Sequence, residues 1–459
     1  MKIRDSVKNW RSPEVLMVAV MSVWLLYETA FGMAQVFGLA PSNHAAFVLT
    51  GHFHNPGPFG GFVCVLASVT AAYSFSLWKR RPSGLPEYLM LALTSSATLM
   101  SMVILPATQS RTAFAAAASA ILVYLLRHRS LWAGVRHPRR MAAMVLACIT
   151  VSAVALFLVK KDSAIGRFHI WRIEARVIAE HPIAGVGEGL YLGAYGEEQA
   201  RFFAEQDRSA LVKRVAGCPE YAFSEYMRVG MEHGLPAMLG FILLTGTVIA
   251  VLLRRDSSLA YGALALAVFA GASYPFSLWQ FKILALLFLF HAISLLFTHP
   301  AARWVAAVAG VMMVLLLFRS GRICDEPKPY REIYDHAYTY FESGDYSKAL
   351  PLLQKGSSMS SDPMFHNIMG RCYEAQGLNE KAEEEYLMSH DMVPGRLYPL
   401  VLLKELYEKQ GEISKASEVL REIRSIPLNP RNPNMLKLLQ RAEEGGTAQA
   451  GESNAAGPG

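Results

Sequence analysis

Residues 59–78 read FGGFVCVLASVTAAYSFSLW without a single charge, and Lys79, Arg80 and Arg81 follow directly. A helical run of this length rises by about 30 Å, the thickness of a bilayer's hydrocarbon core. Lysine and arginine collect at the cytoplasmic ends of such spans. The stretch therefore predicts a membrane helix whose C-terminal end lies inside the cell. Working outward, comparable runs occur at 15–37, 87–106, 111–126, 141–158, 234–253, 258–275, 278–297 and 303–319, the one at 111–126 being short. The expectation is an all-α, polytopic bundle of about nine spans. Apolar residues make up 53% of the chain and charged ones 18%, against about 25% charged in an average soluble domain. The charge deficit sits in residues 15–319, whereas 320–445 has the composition of a soluble domain.

Basic clusters set the topology. They lie at Lys2, Arg4, Lys8 and Arg11, at 79–81, between Arg127 and Arg140, at Arg254 and Arg255, and at Arg303. Nine alternating spans place every one of these in the cytoplasm if the N-terminus is inside. Segments 38–58, 107–110, 159–233 and 276–277, and everything after 319, then face outward. Lys160 and Lys161 are the exception, but the loop 159–233 holds ten basic and eleven acidic residues, and long loops translocate largely regardless of charge. The first span has no small-residue cleavage site and is expected to be retained. Because the basic residues orient helices, the net charge of +7 does not point to nucleic acid. Cys64, Cys148, Cys218, Cys324 and Cys372 form no CxxC pair, so neither a zinc site nor a thioredoxin-like motif is indicated. No H-E-x-x-H occurs, the outward loop has no D-x-D pair, and no metal or cofactor is expected.

Beyond the spans, the chain repeats itself. Tyr340, Tyr373 and Tyr407 fall in register, followed by Gly344, Gly377 and Gly411 and then by Ala349, Ala382 and Ala416. Each triplet is spaced by 33 and then 34 residues. This pattern resembles the tetratricopeptide repeat, with Gly at a tight inter-helix turn and Ala where helices approach closely. The resemblance implies a small C-terminal α-solenoid over 326–442, acting either as a stabilising spacer or as a docking surface for a peptide or a subunit. The Gly/Ala-rich tail 443–459 is expected to be disordered. The resulting division is 1–158 for the first membrane helices, 159–233 for the outward loop, 234–319 for the remaining helices, then the repeats and the tail.

The outward loop carries the chemistry. Its first half has helical spacing, with Trp171, Ala175 and Ile178 on one stripe and Arg172 and Arg176 on another. Gly185, Gly187 and Gly189 follow His181-Pro182; no strand precedes them, so a tight turn explains them better than a dinucleotide loop. Several elements in order resemble the O-antigen ligase superfamily, which includes O-antigen polymerases and protein O-oligosaccharyltransferases. They are Asn55-Pro56 with Phe59, Ser110-Arg111-Thr112, Gly166-Arg167, Ile170-Trp171, the run His181 to Gly187, Tyr195 and Gln199, Ala222 to Met227, and Glu232-His233-Gly234.

The resemblance implies a metal-independent glycosyltransferase-type membrane fold. It further implies transfer of a glycan from undecaprenyl diphosphate to a glycolipid, polysaccharide or protein acceptor at the periplasmic face of the bacterial inner membrane, in lipopolysaccharide or cell-surface polysaccharide biosynthesis. Guanidinium groups bind diphosphate bidentately and stay charged, and Arg111, Arg167 and Arg172 are the expected contacts. An arginine snorkelling to lipid phosphate is the plainer alternative for Arg111 and Arg172. Transfer also needs a base near the acceptor hydroxyl. Ligases of this family commonly have a histidine before an N-x-Y-L element, but here Tyr221-Ala222-Phe223-Ser224 stands in its place. Glu220 and Glu225 are the nearest replacements, with His169, His181 and His233 behind them, and His52 and His54 also fall on the outward side near Asn55. A non-catalytic membrane scaffold is the competing class. A transporter would carry paired ionisable groups within its spans; here Glu28, near an outer end, is the most conspicuous.

Overall fold

The computed structural model describes residues 12–128, 161–206, 208–427 and 432–444. The span expected at 141–158, the basic clusters at 2–11 and 129–140, and the tail from 445 lie outside the described residues. Among those described, the regular structure is helical and contains no strand.

The chain divides into two compact units. The first comprises 1–160, 223–226 and 238–326, and the second 161–222, 227–237 and 327–459. In the first unit lie α1 (Pro13–Val36), α2 (Pro56–Arg80), α3 (Leu85–Thr108), α4 (Arg111–Arg127), most of α8 (Glu225–Arg254), α9 (Leu259–Ala270), α10 (Trp279–Ser294) and α11 (Pro300–Arg319). Five of these, α1, α2, α3, α8 and α11, are long and apolar enough to cross a bilayer, which makes this a membrane protein. Helices α9 and α10 are apolar but shorter, and α4 has 17 residues, so about 26 Å of rise. The nine-span expectation thus meets five full-length helices among the described residues.

Small residues bring these helices together, as they do wherever lipid replaces water as the competing solvent. A Cβ on Gly61 would fall inside the Phe269 ring, and one on Gly262 would collide with Val69 and Phe288. Around them Phe53, Phe59, Phe62, Phe269 and Phe281 form the buried centre. The opposite faces stay apolar and uncovered, with Leu99 and Val103 on α3 and Val305 and Leu315 on α11 exposed, as lipid-facing positions require.

The second unit combines the loop helices α5 (Lys161–Glu180), α6 (Tyr191–Ala204) and α7 (Ala210–Val215) with the C-terminal helices. The latter are α12 (Pro329–Glu342), α13 (Tyr346–Ser357), α14 (Met364–Ala375), α15 (Asn379–Met392), α16 (Tyr398–Gln410), α17 (Ile413–Ser425) and α18 (Pro433–Glu444). They pair in sequence, α12 with α13, α14 with α15 and α16 with α17. Gly344, Gly377 and Gly411 sit at the three turns with φ of 78°, 75° and 78°, a left-handed conformation that glycine adopts without a Cβ penalty. Ala349, Ala382 and Ala416 are all buried at the helix contacts.

Candidate active site

The N-terminus of α4 is built by Ser110, whose side chain caps the helix by accepting from the Ala113 N–H, so that Arg111 becomes its first residue. The same Ser110 hydroxyl lies 3.4 Å from the carbonyl of Gly57 in the first turn of α2, a helix itself capped by Asn55 through the Gly57 N–H at 2.8 Å. Two helix N-termini therefore meet beside one half-buried arginine. Each terminus carries partial positive charge, although the first turn of α2 offers no spare donor, since Pro56 and Pro58 have no N–H and the N–H groups of Gly57 and Phe59 donate to Asn55. Partial positive charge from two helix termini and a guanidinium gathered at one place favour a phosphate-like ligand.

In the second unit, α5 buries His169, Ile173, Val177 and Ile178. The buried stripe is thus offset from the expected one: Ala175 is exposed and Trp171 half-buried. Tertiary packing decided this face, because α6 lays Tyr195, Phe202 and Phe203 against Ile173. Arg167 is half-buried on α5, and Arg172 is exposed with its guanidinium 5.0 Å from the centre of the Phe202 ring. Arg176 and Arg208 share that ring at 5.6 and 4.0 Å. Stacking holds a guanidinium plane while leaving its N–H edge free to bind. Arg176 is committed to Glu198 and to Glu205, the latter at 2.6 Å.

The glycine run forms a tight turn, with Gly185, Gly187 and Gly189 all at positive φ. It docks backbone to backbone onto the break in α8 at Gly234, whose φ is 81°. Val186 N–H donates to Met231 O at 2.7 Å, Gly187 N–H to Glu232 O at 3.1 Å, and Leu235 N–H to Pro182 O at 2.8 Å. The Glu232 carboxylate adds a bond from Gly189 N–H at 3.0 Å and lies 3.4 Å from Arg228. The elements His181 to Gly187 and Glu232 to Gly234 are therefore one substructure, a pairing across about 50 residues that no local spacing reveals.

Three of the expected bases differ in their surroundings. His181 is exposed at the turn. Glu225 is buried, and its carboxylate accepts from Phe276 N–H at 2.7 Å. Glu220 is paired with Lys328 and, at 2.7 Å, with Arg331. Its partial burial works to raise the carboxyl pKa, but these two cations outweigh burial and hold it below its ordinary 4.5. A carboxylate so stabilised is a weak proton acceptor. A folded pKa below the unfolded one contributes stability above the unfolded value, and that contribution disappears as pH falls through the folded one. Glu220→Gln is accordingly expected to lower the melting temperature at pH 7 and to lower it progressively less as the pH is brought down below 4.5, measured on the full chain in detergent.

Glu220 also shows how the C-terminal helices carry the loop. Ser361 Oγ donates to Pro219 O at 2.8 Å, and Arg396 reaches Cys218 Sγ at 3.0 Å and Asp362 at 3.1 Å. Gln199 Nε2 donates to the carbonyls of Gly217, at 3.0 Å, and Met392. Its Oε1 receives Tyr195 OH at 2.6 Å and lies 2.9 Å from His169 Nε2. Burial lowers the His169 pKa against this hydrogen bond, so the ring is neutral at pH 7. Lys328, Arg331 and Arg396 support the loop in a way that the sequence did not announce, since they stand among the C-terminal helices.

Elsewhere in the first unit, a cavity of about 130 Å³ opens between α8, α9 and α10, with apolar walls that include Phe241, Val248, Leu266 and Phe288. Tyr226, next to Glu225, also lines it and donates to Ala267 O at 3.0 Å.

Residues 96–242 match the family described as O-antigen ligase. The match begins on α3, takes in Arg111, Arg167, Arg172 and the docked glycine turn, and ends on α8 beyond Gly234. It supports the O-antigen ligase superfamily and points to glycan transfer of the ligase or polymerase type. A comparison with curated proteins finds no match.

Proposed function

We propose that the chain transfers a glycan from undecaprenyl diphosphate to an acceptor hydroxyl at the periplasmic face of the inner membrane. The observation that carries this reading is Arg111 at the junction of two helix N-termini, inside the segment matched to O-antigen ligases. Departure of the diphosphate places negative charge on its oxygens, and a guanidinium held beside two helix N-termini stabilises that charge without reorganisation. Within the first unit, the apolar cavity takes part of the polyprenyl chain.

The second unit's compactness supports the topology of this reading. Loop residues 161–222 and helices after 327 fold together, so both occupy one side of the membrane and an even number of crossings separates them. In the nine-span reading, α8 to α11 supply four. With the N-terminus cytoplasmic and a fifth span before the loop, the one expected at 141–158 outside the described residues, that side is the periplasm. Residues 326–442 read as tetratricopeptide-like repeats whose work includes holding the loop.

The acceptor is a lipid A core, a growing polysaccharide or a protein hydroxyl. Deleting the chain in its host and following lipopolysaccharide banding together with glycoprotein staining separates these. Loss of the ladder with long unattached polymer identifies a ligase, a single-repeat product a polymerase, and loss of glycoprotein alone a protein transferase. A deletion that changes none of them contradicts the reading and favours the scaffold.

A further inference from the structure

We propose that His52 is the general base of the transfer reaction and that Glu28 is its positioning residue, an inference that rests on the glycan-transfer reading above. Glu28 lies on α1, an apolar span, and only 3% of it is exposed. An ionisable group so placed is costly unless partnered, and such groups mark function more often than architecture. Its partner is His52 in the segment between α1 and α2, with Nδ1 3.1 Å from Glu28 Oε2. The imidazole lies over Phe31, ring centres 4.0 Å apart and planes inclined by 23°. Its side chain is nevertheless 34% exposed. Its other nitrogen, Nε2, is 3.2 Å from the hydroxyl of Tyr27, itself 58% exposed.

This geometry fixes the chemistry of the ring. A carboxylate only accepts, so in the neutral imidazole Nδ1 carries the hydrogen and donates it to Glu28, and Nε2 carries the lone pair. Tyr27 OH donates to that lone pair and, being exposed, can yield its place to an acceptor hydroxyl. A buried carboxylate behind a partly exposed histidine is the arrangement that orients an imidazole base and stabilises the imidazolium it becomes. Neither Glu220, held by Lys328 and Arg331, nor exposed His181 shows such a pairing.

Position agrees with role. Phe53, the next residue, packs on Phe62 and Phe281 with ring centres 5.5 and 6.1 Å away. Asn55 then caps α2, whose first turn meets Ser110, and Arg111 follows. One end of one compact unit thus carries the dyad and the diphosphate arginine. In the step, the acceptor hydroxyl gives its proton to His52 Nε2 as its oxygen bonds to the anomeric carbon. The bond from that carbon to the diphosphate oxygen breaks, and the diphosphate leaves with the electron pair. The imidazolium, paired with Glu28, then returns its proton to solvent.

The test uses the full-length protein in vesicles, with glycan-bearing undecaprenyl diphosphate and the envelope acceptor fraction extracted from cells lacking the chain. His52→Ala is expected to lower kcat roughly 100- to 10,000-fold with the donor KM unchanged, and added imidazole to recover it at least about tenfold. Glu28→Gln is expected to lower kcat by less, and Glu28→Asp to restore part of the loss. A merely structural pair would not respond to imidazole. Activity of His52→Ala within threefold of wild type, or a loss that imidazole does not relieve, overturns the proposal. If Arg111→Lys is inactive while His52→Ala is active, the base assignment alone falls; if both variants transfer like wild type, the glycan-transfer reading falls with it.

Discussion

Arg111→Lys is expected to lower kcat/KM for glycan transfer by roughly 100-fold or more, with insertion and thermal stability of the full chain unchanged. Lysine keeps the charge and nearly the length, so a side chain that merely snorkels to lipid phosphate tolerates the exchange. A planar fork that grips two oxygens of a leaving diphosphate does not, because an ammonium is a point charge without that geometry. Residue 111 opens α4 where Ser110 meets the first turn of α2. The fork there works alongside the partial positive charge of two helix N-termini. Transfer rates in vesicles check this; a loss below threefold favours the snorkelling role.

Gly234→Ala is expected to destabilise the second unit by roughly 3–5 kcal/mol, the sum of left-handed backbone strain and an overlap that cannot relax. The added Cβ would fall on Ile183 O and within 2.9 Å of Pro182 O, both backbone atoms. Gly185 faces the same junction from the other side, where a Cβ would lie 2.5 Å from Glu232 O and His233 N. The docked turn must then separate from α8, losing the bonds of Val186, Gly187 and Leu235. Melting of the full chain in detergent, together with protease cleavage near 181–189, measures the effect. A melting temperature within 1 °C of wild type would show that the junction does not hold the loop.

Much of the membrane unit was legible because lipid imposes a simple rule on composition. Helices α1, α2, α3 and α11 coincide with the expected runs to within a few residues. The expected start of span 234–253 coincides with the break at Gly234, where α8 leaves helical geometry before continuing to Arg254. The repeat glycines were legible for a different reason: a left-handed turn every 33 or 34 residues leaves a periodic mark. The site itself was legible only in pieces. Arg111 stood out beside a short apolar helix, whereas Glu28 and His52 gave no joint signal, being 24 residues apart on a helix and a loop. The support of the loop by Lys328, Arg331 and Arg396 was equally hidden, because single long-range contacts have no period.

That support changes how a truncation is to be read. Removing 326–459 deletes the partners of Glu220, Pro219, Cys218 and Gln199 at once. Loss of transfer on truncation therefore follows from a displaced loop and does not by itself demonstrate recruitment of an acceptor.

The account stands on an arginine-held diphosphate, and binding tests it without any acceptor. Undecaprenyl diphosphate is titrated into the full-length protein in nanodiscs, wild type beside Arg111→Lys. The account predicts saturable binding by the wild type, weakened on the order of tenfold in the variant by loss of a bidentate contact. Equal affinity of the two proteins, or no binding by the wild type, contradicts it.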